Sequence, residues 1–97
     1  MGFLFRRSST RRINDLLALH GPARCHAAIL ALTALTSDPS MIPIEWERIE
    51  LPLIHDLPDC PPATKTLLRR ALEDCAGACR NREVARRIMV VRDSLLP

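Results

Sequence analysis

The sequence predicts an all-α fold: one small domain of four to five short helices, ending in an antiparallel helix pair. Three observations lead to that reading. Apolar residues recur at three- and four-residue spacing rather than in alternation, which is the period of a helix face and not of a strand. Proline, glycine and small polar residues punctuate the chain at Gly21-Pro22, Ser37-Asp38-Pro39-Ser40 and Pro61-Pro62, leaving segments of helical length between them. With 97 residues, 47% of them hydrophobic and 3% aromatic, the chain has material for a single core of aliphatic side chains and alanine, which suits closely packed helices better than sheets.

Residues 1–8 read as a basic N-terminal tail and residues 9–97 as the helical domain. Ser9 or Thr10 is placed to accept hydrogen bonds from free backbone amides and so to cap the first helix, whose apolar positions are Ile13, Leu16 and Leu17, with His20 one turn on. Gly21 ends that helix. Pro22 has no amide hydrogen to lose at a helix start and opens a second helix reaching Thr36. Ala27, Ala28, Ile29, Leu30, Ala31, Leu32, Ala34 and Leu35 cover most of its circumference, so it is expected at the centre of the fold, nearly fully buried. The apolar run from Ala27 to Leu35, broken only by Thr33, is too short to span a bilayer.

The middle of the chain carries two conflicting signals. Ile42, Trp46, Ile49 and Leu53 form a helical stripe, while Pro43, Pro52 and Pro58 each oppose an uninterrupted helix. The reading is one short helix from Pro43 to Glu50 and a further turn begun by Pro52, with an extended, partly polyproline segment as the competitor. Asp59 or Cys60, followed by Pro61 and Pro62, starts the next helix, which runs through Leu67, Leu68, Leu72 and Cys75 to Cys79. Gly77, between Ala76 and Ala78, is expected to allow close helix approach. Asn81 caps the last helix, Glu83 sits favourably in its positive first turn, and Val84, Ile88, Val91 and Leu95 make its stripe. A connection of two or three residues folds these helices back on each other.

Charge is distributed in blocks. Residues 1–12 hold four arginines and no acid, six acids stand against Arg48 between Asp38 and Asp59, and from Lys65 onward eight bases stand against four acids, for a net charge of +3. Such blocks point to charge-complementary contacts within the fold or with a partner. The acid-free, arginine-rich start has the composition of a mitochondrial targeting segment, the competing reading being a basic tail whose Phe3, Leu4 and Phe5 dock on the core. No signal peptide is read ahead of the four cysteines, so they are expected as reduced thiols in an intracellular, reducing compartment, mitochondrial on the targeting reading and otherwise cytoplasmic.

Cys75 and Cys79 lie four residues apart, and with His55 and Cys60 they make up the number of ligands zinc takes. Their positions on an apolar helix stripe argue for core packing instead, and no metal or cofactor is expected. Neighbouring Cys25 and His26 diverge by about 100° on a helix, and the chain lacks G-x-S-x-G, H-E-x-x-H and a glycine-rich loop, so no enzyme is expected. The expected function is that of a non-catalytic adaptor or accessory subunit binding protein partners in a larger assembly. Its contact residues would be Trp46, Glu45 and Glu47 in the acidic segment and Arg69, Arg70, Arg80, Arg82, Arg86 and Arg87 in the last two helices. The alternative is a small DNA- or RNA-binding domain using those same arginines.

Overall fold

Five α-helices and two single turns of 3-10 helix follow one another among the residues described by the computed structural model, which are 2–96, with side chains from residue 9 onward. The helices are α1 (Gly2–Ala18), α2 (Gly21–Thr36), α3 (Ile42–Asp56), α4 (Pro62–Ala78) and α5 (Arg82–Asp93). The 3-10 turns are Pro39–Met41, leading into α3, and Leu57–Asp59, leading out of it. Helix α2 packs against α1, α3 and α4, and α5 closes back on α4. The predicted all-α architecture with its terminal antiparallel pair is the one observed.

Each stripe explains its helix. Ile13 and Leu16 of α1, Leu32 and Leu35 of α2, Ile42, Trp46, Ile49 and Leu53 of α3, Leu68 and Leu72 of α4, and Ile88 of α5 are all fully buried in one cluster. Alanines 27, 28 and 31 are buried on α2, so neighbouring helices approach its axis closely. The centrality expected of α2 holds for three of its sides, but Leu30 is 42% exposed, so one face is open. Asn81 caps α5 as anticipated, its side-chain oxygen accepting from the Val84 amide at 3.1 Å.

Several local expectations are corrected. Helix α1 runs through Ser9 and Thr10 from Gly2, so neither residue is its N-cap; the docking expected of Phe3, Leu4 and Phe5 concerns side chains outside the described residues. Gly77 is exposed, and a Cβ there would meet nothing within 4 Å, so it serves no close approach. Helix α3 does not stop at Glu50 but continues through Pro52 to Asp56. Proline removes one backbone bond and crowds the carbonyl four residues back. Here that carbonyl belongs to exposed Arg48, while Ile49 and Leu53 on either side are anchored in the core at 0% exposure. Packing of the stripe outweighs the local penalty.

The turn between α1 and α2 is stitched to the end of α3. Gly21 has φ of +60°, a left-handed value that glycine adopts without the steric cost of a Cβ. Arg24, 8% exposed, then projects one turn into α2. Its Nε donates to the Leu16 carbonyl at 3.1 Å, which also accepts from the Leu19 amide, and its Nη2 to the Leu17 carbonyl at 3.2 Å, so that it caps the carbonyl end of α1. Its Nη1 donates to the Pro52 carbonyl at 3.3 Å and lies 3.0 Å from Asp56 Oδ2. Asp56 is itself 4% exposed. A hydrogen bond with His55, the Gly21 amide and the Arg24 charge hold its carboxyl below the ordinary range, against burial, which raises it.

A covalent link crosses the same junction: Cys25, next to Arg24, is bonded to Cys60, four residues after Asp56. The expectation that all four cysteines are reduced is therefore wrong for this pair. The residues stand 35 apart in sequence, yet the packing of α2 on the Leu57–Asp59 turn brings their Cα atoms to 5.9 Å, within the span a disulfide bridges. Both sulfurs lie beside the Asp56 carbonyl, at 3.4 and 3.9 Å, but as bonded sulfurs they have no proton to donate to it.

Candidate interaction surface

The nine residues singled out in the sequence separate into three groups. Trp46 is fully buried, with its Nε1 enclosed and without a hydrogen-bond acceptor among the described residues. Glu45 is 4% exposed and paired with Arg48 at 3.3 Å. Arg48 in turn donates to the Asn14 side chain at 2.8 Å, joining α3 to α1. Neither Trp46 nor Glu45 presents itself to a partner in this conformation. The stripe that buries Ile42, Ile49 and Leu53 also turns Trp46 inward, so the tryptophan is a core anchor.

The second group is engaged within the fold. Arg87 reaches from α5 to α3, donating to Glu47 at 2.8 Å and, in a very short contact, to Glu50. These two carboxylates, Glu50 first, raise the pKa of the guanidinium further. Arg86 and Glu83 pair along α5 at 2.5 Å, and the hydrogen bond from Arg86 lowers the Glu83 carboxyl. Arg92, not among the nine, ties α5 to Glu73 of α4 at 2.6 Å. Part of the basic block thus answers the acidic segment internally.

Arg69, Arg70, Arg80 and Arg82 form the third group. None has an ion pair among the described residues; Arg70, Arg80 and Arg82 are exposed and Arg69 is half-buried. Arg69 and Arg70 lie midway along α4, while Arg80 and Arg82 flank the Asn81 cap at the turn into α5. Arg80 and Asn81 also line a surface cleft of about 540 Å³ whose other wall is Asp38, Pro39, Ser40 and Pro43. The Asp38 carboxylate is partly taken up there by the Ser40 hydroxyl, which donates at 3.2 Å. The cleft lies where the starts of α3 and α5 come together, so Arg80 stands beside two helix ends that carry partial positive charge.

The thiols have separate fates. Cys75 is fully buried, and desolvation, with a smaller effect from Cys79, pushes its pKa up to about 12, so at neutral pH it is a protonated, unreactive thiol. Cys79 is half-buried at the C-cap of α4, with its Sγ donating to the Asn81 carbonyl at 3.4 Å. Cys60 is engaged with Cys25, and among the described residues no group of three or more His, Cys, Asp or Glu is placed to hold a metal. Among those residues, too, no single helix is long and apolar enough to cross a membrane.

Two features escape sequence reasoning. On spacing alone the buried Arg24 is an interruption of an apolar run; its signal is the Gly-Pro helix start just before it, which places the first turn of α2 beside the carbonyl end of α1. The second is an apolar groove between α1 and α2, lined by Ala18, Leu19, Ala23, Ala27 and Leu30, of which periodicity alone assigns Ala27 and Leu30 to the core. Comparisons with protein-family models, with curated proteins and with solved structures find no match to this chain.

Proposed function

We propose that this protein is a helical adaptor or accessory subunit that docks on an acidic surface of a protein partner through Arg69, Arg70, Arg80 and Arg82. The observation that supports it is the division of labour among the arginines of α4 and α5. Arg86, Arg87 and Arg92 are occupied by carboxylates of the same chain, whereas these four have no such partner among the described residues. Exposed like charges repel one another modestly in water, and a partner's carboxylates would relieve that repulsion and gain bidentate contacts suited to guanidinium. Contacts of this kind set orientation and association rate more than bulk affinity.

The test is affinity capture of the intact chain from its native source, with the wild type beside a variant in which all four arginines are glutamate. A stoichiometric partner held by the wild type and lost by the variant supports the reading; equal recovery by both refutes it. Two of the four, Arg80 and Arg82, lie next to the α5 N-terminus and also suit phosphates, which is the observation favouring a nucleic-acid-binding domain as second reading. That reading requires binding to oligonucleotides that collapses between low and moderate salt and weakens in Arg82→Ala. For cellular location, the Cys25–Cys60 bond supports a compartment where disulfides persist rather than a reducing one.

A further inference from the structure

The face of α2 that the fold leaves open has a specific shape. Helices α1 and α2, joined at the Gly21 turn, border a groove of about 430 Å³. Its floor is made small by Ala18, Ala23 and Ala27, and two leucines stand at its sides, Leu19 at 38% exposure and Leu30 at 42%. Alanine hollows beside protruding leucines are the complementary halves of a helix-packing surface, knob and hole on one patch.

The rim carries both signs of charge. Arg12 and Asp15 line the groove one helical turn apart on α1, are exposed, and have no ion pair with each other or with any other described residue. An acidic partner would meet Asp15 there and a basic one would meet Arg12. A surface that bears its own opposite charge beside its own knobs and holes is complementary to itself under a two-fold axis.

We propose that this groove is the seat of a second copy of the chain, in an isologous dimer. Each copy places Leu19 and Leu30 against the alanine floor of the other, and Arg12 of each faces Asp15 of the other, so that two equivalent ion pairs form at the rim. A dimer seated on this single groove is expected to dissociate at about micromolar concentration. It lies on α1 and α2, and does not depend on the arginines of α4 and α5.

Sedimentation velocity over a concentration series tests it. Wild type should pass reversibly from monomer to dimer. Leu30→Glu should remain monomeric with unchanged helical circular dichroism, since the side chain is partly exposed. Arg12→Glu alone sets two acids against each other twice in the dimer, and Asp15→Arg sets two bases against each other, so each should weaken self-association by tenfold or more. Mixing these two variants in equal amounts sets the introduced glutamate of one chain against the introduced arginine of the other and leaves Asp15 of the first facing Arg12 of the second. Dimer should then return as the mixed species. The variant with glutamate at 69, 70, 80 and 82 should dimerise like wild type, which separates this proposal from the adaptor reading. A wild type that stays monomeric throughout overturns the proposal and leaves the groove for a helix of another protein. Single-charge variants that dimerise unchanged, or a mixture that fails to recover, overturn it as well.

Discussion

Two arginines hold this fold together across long stretches of chain, and they do so in opposite surroundings. Arg24 is enclosed at the junction of α1, α2 and α3, with three backbone carbonyls and the Asp56 carboxylate around one guanidinium. Arg87 lies across the outside of α3 and α5, its side chain 32% exposed, with two carboxylates at its fork. The same chemical pair is therefore used once in a desolvated site and once in water. What differs is the consequence of losing a partner. A buried charge left alone costs heavily because nothing replaces the missing counter-charge, whereas an exposed one is rehydrated and screened.

Arg24→Met should accordingly give the largest effect on stability. It leaves Asp56 buried beside an uncharged side chain and takes the guanidinium donors away from the carbonyls of Leu16, Leu17 and Pro52, for an expected loss of about 3–5 kcal/mol in urea unfolding. Removing both charges, as in Arg24→Met with Asp56→Leu, should recover most of that loss. A double variant no better than the single one would show that the carbonyl contacts, and not the ion pair, hold the junction. The pair also leaves a pH signature. Because the folded state lowers the Asp56 carboxyl, its contribution is complete above the unfolded carboxylate value and disappears as pH falls through the lower folded one. Acid destabilisation beginning below about pH 4 should thus be blunted in Asp56→Asn.

Opening the Cys25–Cys60 bond comes next. It joins residues 35 apart in sequence, and the chain-entropy account gives such a closure about 3–4 kcal/mol. Reductant should lower the urea midpoint of the wild type and leave that of Cys25→Ala with Cys60→Ala where it stands. A wild-type midpoint indifferent to reductant would show that Arg24 and its partners already confine the junction. Arg87→Ala should have the smallest effect, well below that of Arg24→Met, and the difference from wild type should vanish in molar salt, where exposed pairs are screened. A salt-independent loss as large as that of Arg24→Met would erase the contrast between the two sites.

The legible parts of this fold are those carried by local periodicity. Val84, Ile88, Val91 and Leu95 announce α5, and Asn81 its start, because both signals lie within a few residues of the structure they specify. Pro52 misleads because its penalty is local, while the stabilisation that overrides it comes from Ile49 and Leu53 packing on other helices. The Cys25–Cys60 pairing and the role of Arg24 depend on which helix ends meet, and spacing along the chain does not encode that. The interaction surface is half legible. Charge blocks point to the arginines of α4 and α5, but which of them are occupied by Glu47, Glu50, Glu73 and Glu83 is decided by the approach of α5 to α3 and α4. Trp46 stands out in the sequence for its size, and only its neighbours on the stripe decide that it faces inward.

The link between Cys25 and Cys60 makes a closed ring of α2, α3 and the segment around them. A ring cannot be drawn in single file through a narrow import channel or an unfolding motor, so any such passage has to precede oxidation. A protease cut anywhere inside the ring would leave the two halves tethered until a reductant released them. Whether a given molecule is closed, open or cut inside the ring is therefore read by comparing its mobility on non-reducing and reducing gels.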